Sequence, residues 1–374
     1  MKLLVLIAAS MLLATPSVQA CNLHATDAKT SGCPQKWMNA NLRLNDILTV
    51  GTHNSYKQAI PPALLAKIAS QSPLIAAGLD YSHPPLNEEL DDGARNLELD
   101  VVYDPEGGRY AAPAGIPPNA GALPADFTAT MAKPGFKVLH VPDIDVRSSC
   151  LTLTQCLTII RHWSRAHPHH IPILITMNAK DDPSQVPGGV QPLKFDAAAY
   201  NALDAEIASV FPESAMIRPR DVIGKDGSLH WPTLGTARGK VLFALDEPPE
   251  KVIAYESARG GKRVMFINAP DPEAEGAAYV TLNEVPADLA RIKDAVAGGL
   301  IVRTRADADT VEARRNDPSR RDAAFASGAQ YVSTDYRHPD VRFGPYEARL
   351  PDGAVAVCNP LRTGDQCRGI AIDP

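Results

Sequence analysis

The stretch Ile47-Leu48-Thr49-Val50-Gly51-Thr52-His53-Asn54-Ser55 is a short apolar run that stops on a polar cluster. Two later runs have the same form. Asn96-Leu97 leads into Glu98-Leu99-Asp100, and Phe136-Lys137-Val138-Leu139 leads into His140. Apolar runs of this length, ending in polar or turn-forming residues, predict short buried strands. In a parallel barrel such strand ends lie on one face, the C-terminal face that carries chemistry. Two histidines, an amide and two carboxylates would then converge from three strands. That set suits metal-assisted acid–base attack on a phosphodiester.

Working outward, eight strands are expected at 46–52, 96–102, 136–141, 171–178, 240–246, 263–268, 299–304 and 330–335. Helical patterns fall at Thr154–Ala166, Phe195–Val210, Pro286–Ala297 and Asp309–Ser327. Strands alternating with helices predict an α/β fold with a parallel sheet, and eight strands predict a (β/α)8 TIM-like barrel. The first three crossovers are long and rich in Pro and Gly, so an irregular or partly open barrel is expected. Ala111–Pro134 reads as an extended loop and Pro212–Arg238 as an insertion before the fifth strand. Ala59–Gly78 is apolar and follows directly on the first cluster; it reads as a lid or membrane-touching element, or as an ordinary buried helix. The tail after Tyr336 is expected to pack back through its cysteines.

Residues i and i+2 of a strand point to the same side, so Glu98 and Asp100 face one way with Leu99 opposite. Two acids this close repel unless a cation or a shared proton separates them. A hard cation such as Ca²⁺ takes oxygen ligands, and the amide oxygen of Asn54 is a suitable third. An imidazole titrates near neutrality, so His53 and His140 could serve opposite sides of one phosphate. His162, His167, His169 and His170 read instead as a solvated helix end in favourable interaction with the helix dipole. Arg303 and Arg305 share one strand face and are candidates either for bidentate contact with a phosphate or for structural salt bridges at the barrel rim. Tyr336 is a candidate to stack on a sugar ring. Asp246, Asp307 and Asp335 also lie at or beyond later strand ends.

Composition fits an exported protein. Met1-Lys2, the apolar run Leu3–Leu13 and Val18-Gln19-Ala20 read as a signal peptide over 1–20, too short to span a membrane. Residues 21–374 then form a single catalytic domain, secreted or periplasmic. Acylation at Cys21 is the other reading, but Gln19 fits a lipoprotein cleavage box poorly. Cys21, Cys33, Cys150, Cys156, Cys358 and Cys367 fall into three close pairs, and local disulfides are expected among the fifteen possible connectivities. The 374-residue chain carries 37 basic and 43 acidic residues, a net charge of −6, which argues against a nucleic-acid surface. A monomer working at a membrane or micelle surface is expected.

The segments Gly51–Tyr56, Tyr81-Ser-His-Pro-Pro-Leu86, Leu97–Val101 and Val138-Leu-His-Val-Pro-Asp-Ile-Asp145 together resemble the calcium-dependent phosphatidylinositol-specific phospholipases C of bacteria and fungi. The resemblance continues through Cys150–Pro172 and returns at Val302–Asp307 and Gly328–Asp335. It implies that His53 and His140 are the catalytic histidines and that Asn54, Glu98 and Asp100 hold one Ca²⁺. The next ligand of the family is normally a Glu just before Ala-Lys; here Asn178 stands there, ahead of Ala179-Lys180, and removes one negative charge. Weaker calcium binding, another cation, or help from Asp181 or Asp182 are the alternatives. Lys180 is a candidate phosphate contact.

The reaction so implied releases diacylglycerol and inositol 1,2-cyclic phosphate, with optional later hydrolysis to inositol 1-phosphate. Which histidine acts as base does not follow from the sequence. Two rivals are carried forward. One is another barrel phosphodiesterase, acting on glycerophosphodiesters or sphingomyelin, although those first enzymes usually open with His-Arg rather than His53-Asn54. The other is a non-catalytic inositol-lipid-binding protein.

Overall fold

The computed structural model describes residues 21, 23, 32–116, 123–258, 263–367 and 370–373. The expected signal peptide lies outside them. The strands are β1 (Ile47–Thr52), β2 (Asn96–Val102), β3 (Lys137–Val138), β4 (Ile173–Ala179), β5 (Val241–Leu245), β6 (Met265–Ile267), β7 (Tyr279–Thr281), β8 (Ile301–Arg305), β9 (Tyr331–Thr334), β10 (Ala356–Cys358) and β11 (Ala371–Asp373). They form two sheets, ordered β3-β2-β4-β5-β6 and β11-β10-β1-β9-β8-β7.

Neighbouring pairs within β2-β4-β5-β6 and within β1-β9-β8-β7 are parallel. These eight strands make an irregular barrel whose halves meet at β1/β2 and β6/β7 without a continuous ladder. At the first seam the Arg95 amide donates to the Val50 carbonyl (3.0 Å) and the Ser55 amide to the Glu98 carbonyl (3.1 Å). Gly51 is required there, because a Cβ at that position would lie 1.9 Å from the Asn96 carbonyl oxygen.

Period two sorts the strand residues. Leu97, Leu99, Val101, Ile173, Ile175, Met177, Phe243 and Leu245 pack outward under the helices Leu153–Ala166 and Ala197–Val210. Leu48, Val50, Val302 and Val332 do the same under Val285–Ala297. The opposite parity points inward: apolar low in the barrel (Ile47, Leu174, Leu242, Ile301, Tyr331), polar towards the strand ends. The helix Leu153–Ala166 opens on Thr152, whose side chain accepts from the Gln155 amide, an N-cap that fixes its start.

Several expectations need correction. The run 136–141 is not a barrel strand: only Lys137–Val138 pairs, antiparallel to β2, with Val138 opposite Val101. The eighth barrel place is taken by β7, three residues too short to show a period. Asp309–Ser327 is two helices, Val311–Arg315 and Ser319–Ala326, interrupted by Asn316 at positive φ and Pro318. Ala111–Pro134 contains the helix Phe127–Met131, and its residues 117–122 lie outside the described part. The apolar segment Ala59–Gly78 folds as two helices, Pro62–Gln71 and Pro73–Leu79.

His170 is buried rather than solvated, its Nε2 2.8 Å from Ser164 Oγ. The tail returns as β10, antiparallel to β1. The three local disulfides form: Cys21–Cys33, Cys150–Cys156 and Cys358–Cys367. Among the described residues no helix is long and apolar enough to cross a membrane.

Substituting Gly51→Ala tests the seam. The added methyl collides with backbone, which cannot rotate away, so the unfolding free energy should fall by about 3 kcal/mol. Urea denaturation of the variant checks this; an unchanged midpoint would show that β1 and β2 can separate freely.

Candidate active site

Thr334 fixes the first element of the site: its carbonyl accepts the His53 amide at 3.1 Å just past the end of β1. The His53 side chain then lies between two acids. Its Nδ1 is 2.8 Å from Asp335 Oδ1, and its Nε2 is 3.6 Å from Glu98 Oε1. A carboxylate only accepts, so Nδ1 carries the proton and Nε2 presents its lone pair. The Asn54 amide nitrogen, 3.3 Å away, and Arg305 Nη1, 3.5 Å away, both face that lone pair. Burial and then the Arg305 charge hold the His53 pKa well below the ordinary value, with Glu98 opposing them. The ring is therefore neutral at neutral pH.

His140 is oriented in the same way. Because β3 runs back along the end of β2, the residues after Val138 return toward the level of Asp100. His140 Nδ1 is 2.8 Å from Asp145 Oδ2, and the buried Lys57 Nζ is 3.3 Å from the same oxygen. Lys57 in turn donates to the Leu79 and Tyr81 carbonyls. The structure thus holds two histidine–aspartate pairs, each with Nε2 turned away from its aspartate. Both histidine side chains remain partly open to solvent, at 19% and 17%.

The inward parity brings Glu98, Asp100, Asn178, Lys180, Arg303 and Arg305 to the same mouth. The Ser55 amide donates to the Glu98 carbonyl, and the Glu98 amide donates back to Ser55 Oγ at 2.8 Å. Glu98 is thereby locked to the turn that carries His53. Its side chain is ion-paired to Arg303 and accepts from the Asn178 amide at 2.9 Å. Asp100 is fully buried with Lys180 Nζ 3.1 Å from Oδ2, a pairing that raises the Lys180 pKa.

Among the expected metal ligands, Asn54 Oδ1 is buried with no hydrogen-bond donor, and Asp100 is buried with Lys180 as its cationic partner. An uncompensated amide oxygen beside buried carboxylates fits a hard cation such as calcium. Among the described residues no three His, Cys, Asp or Glu side chains form a ready-made metal cluster, so the donor set is mixed amide and carboxylate. Glu98 and Asn178, the other two expected ligands, already hydrogen-bond to each other.

Two substrate-contact expectations change. Arg303 is only 1% exposed and is spent on Glu98, Asn283 and Asp246, so it braces the site instead of offering a free fork to phosphate. Arg305, 3.1 Å from Asp335 Oδ2 and beside His53 Nε2, is the arginine that faces the mouth. Tyr336 packs edge-on against Phe343 and Tyr346 in a buried cluster, which occupies the ring expected to stack on a sugar.

Sequence reading passed over Lys57, Tyr81 and the pairing role of Asp145. The spacing His140-x4-Asp145 was the available signal for the last.

A parallel barrel of this kind has known counterparts. The family model described as calcium-dependent phosphoinositide phospholipase C matches residues 42–360, and the chain belongs to that family of phosphoric diester hydrolases. Its fold is similar to a calcium-dependent phosphoinositol-specific phospholipase C from the Gram-negative bacterium Pseudomonas sp. in its apo form, at TM-score 0.52 and 20% identity, covering 86% of this chain and 96% of that one. A myoinositol complex of the Pseudomonas enzyme gives TM-score 0.52 and 20% identity, over 85% and 96%. A calcium-dependent phosphatidylinositol-specific phospholipase C from Streptomyces antibioticus gives 0.48 and 16%, over 79% and 95%. No curated protein sequence matches.

Arg303→Met leaves Glu98 without its cationic partner and should lower the unfolding free energy by about 3–5 kcal/mol. The loss should shrink when Glu98→Gln is added, because no buried charge then remains to be compensated. Denaturant titration of the single and double variants measures this coupling; additive losses would contradict the bracing role.

Proposed function

We propose that the mature protein is an exported, monomeric phospholipase C, residues 21–374 forming one catalytic domain, that cleaves phosphatidylinositol to diacylglycerol and inositol 1,2-cyclic phosphate. The observation that carries this reading is the pair of aspartate-oriented histidines, His53 and His140, each holding its aspartate through Nδ1 at one barrel mouth. Export is supported by three disulfides, bonds that persist in oxidising compartments.

His53 Nε2, neutral through burial, takes the proton of the inositol 2-hydroxyl. The freed oxygen attacks phosphorus, the bond from phosphorus to the glycerol oxygen breaks, and His140 Nε2–H delivers a proton to that departing oxygen. Asp335 and Asp145 hold the two rings in the required tautomer and stabilise their charged forms. Arg305 and Lys180 stand beside the developing negative charge on the phosphate. Asn54, Asp100 and Glu98, with Asn178, would hold a calcium ion, which lowers the pKa of the attacking hydroxyl and neutralises phosphate charge. Asn178 in place of a carboxylate, and Arg303 on Glu98, leave this donor set with little net negative charge, so calcium affinity should be modest. Slow hydrolysis of the cyclic ester to inositol 1-phosphate would use the same two histidines in exchanged roles.

Contact with lipid is supported by the rim of the mouth. Leu74 (87% exposed), Ile75 and Val341 (94% exposed) are large apolar side chains left to solvent. Their segments are tied together by Asp80, which pairs with Arg314 and with Arg342. Such a patch fits the boundary of a lipid surface.

His53→Ala and His140→Ala should each lower turnover of phosphatidylinositol about 10²–10⁴-fold with folding intact. Release of water-soluble inositol phosphate from micelles measures it; full activity in either variant would remove that histidine from the mechanism. Leu74→Ser/Ile75→Ser should cost about tenfold or more on vesicles. The same double variant should leave cleavage of a short-chain monomeric substrate unchanged, and an equal loss on both substrates would contradict the surface role.

A further inference from the structure

The segment Tyr81-Ser82-His83-Pro84-Pro85-Leu86 has no part in the mechanism above, yet His83 reaches the catalytic histidine. His83 Nε2 lies 2.8 Å from the His53 backbone carbonyl. A carbonyl only accepts, so His83 Nε2 carries a hydrogen and, in the neutral ring, Nδ1 is a bare lone pair. That lone pair faces Glu89 Oε1 at 3.3 Å. Glu89 is 2% exposed, and its Oε1 is buried without any donor. Two acceptors face each other unless one proton lies between them.

The rest of the chain of contacts places that proton. Thr52 Oγ1 is 2.7 Å from both Glu89 Oε2 and Ser55 Oγ. Thr52 is the donor in both contacts, and its single hydrogen serves one of them at a time. Ser55 Oγ accepts from the Glu98 amide. When the Thr52 hydrogen serves Ser55, the 2.7 Å contact with Glu89 leaves two acceptors together unless the carboxyl group bears a hydrogen.

We propose that Glu89 and His83 are positioning residues: Glu89 holds a proton that it donates to His83 Nδ1, and His83 thereby clamps the His53 carbonyl. The clamp matters because Asn54 sits at φ 50°, left-handed for a non-glycine residue, so the carbonyl before it leaves the strand ladder and has no backbone partner there. The His53 amide is held by Thr334 and its carbonyl by His83. Between them they set the backbone from which the imidazole reaches Asp335.

The surroundings agree. Burial pushes the Glu89 carboxyl up to about 8, against the Thr52 hydrogen bond and the Arg337 charge, with Asp92 adding to the rise. Burial brings the His83 imidazole down to about 4, with Lys57 and Arg337 helping, while Asp335 and the hydrogen bond to the His53 carbonyl oppose. Glu89 and His83 both line a cleft of about 320 Å³ with Asp92, Asp335, Arg337 and His338, which gives the proton a route to solvent.

The role in catalysis rests on the proposed function, so the test has one readout that does not. In ¹⁵N-histidine NMR of the whole mature protein, His83 should be a neutral Nε2–H tautomer at neutral pH. Its Nδ1 resonance should move only above about pH 8, as Glu89 loses its proton. Glu89→Gln, whose amide donates to Nδ1 permanently, should abolish that movement. With phosphatidylinositol, wild-type kcat/KM should fall over the same alkaline range, and Glu89→Gln should remove the fall. Glu89→Leu should lose about tenfold in kcat with KM unchanged. A doubly protonated His83 at neutral pH overturns the proposal, as does a Glu89→Gln variant as impaired as Glu89→Leu. Should Glu89→Leu fail to fold, the NMR titration of wild type and Glu89→Gln decides alone. Absence of all turnover in the wild type would sink the proposed function and leave the NMR result standing.

Discussion

The close approach of β1 to β2 is the constraint on which the site depends. No continuous ladder joins these strands, and backbone contact is possible only because Gly51 has no side chain against the Asn96 carbonyl. The approach lets Ser55 exchange two hydrogen bonds with the backbone of Glu98. Those bonds bring the His53–Asn54 turn against the carboxylates of β2. A larger residue at 51 would part the strands and the chemistry together.

Burial of charge follows from that approach. Glu98 and Asp100 have been taken out of water, a costly step unless each finds a partner. Arg303 from β8 answers Glu98, and Lys180 just past β4 answers Asp100. Asp335 is shared between His53 and Arg305, and Asp145 between His140 and Lys57. Carboxylates and cations therefore alternate around the mouth. Each histidine is held through Nδ1 while Nε2 is left to act. The arginine that faces the mouth is the one whose partner is also a histidine's partner, so a bound phosphate would be felt by the His53 ring.

Much of this was legible from residues. The strand ends at His53, Glu98 and Asp100 are where apolar runs stop, and period two placed both carboxylates on one side. The disulfides followed from close spacing in a chain expected to be exported. Other features were hidden for physical reasons. Strand β7 is three residues long and carries no pattern, whereas 136–141 looks like a barrel strand because its apolar residues are buried, although only Lys137–Val138 pairs with β2, and antiparallel. Arg303 and Arg305 share parity, so only the partners across the barrel distinguish a brace from a residue facing the mouth. Tyr336 follows β9 and reads as a mouth residue, but Phe343 and Tyr346 come back to cover it. Lys57 and Asp145 pair across the chain, which no local pattern reports.

The central claim is that this mouth carries out calcium-assisted internal displacement at a phosphodiester. Phosphorus NMR of the purified mature protein with phosphatidylinositol micelles, first with calcium and then with excess chelator, tests it most directly. The account predicts a cyclic inositol phosphate resonance that grows with calcium and stops when the ion is removed. No turnover with calcium or any other divalent cation would contradict it, and so would a product lacking the cyclic ester from the first moments of reaction.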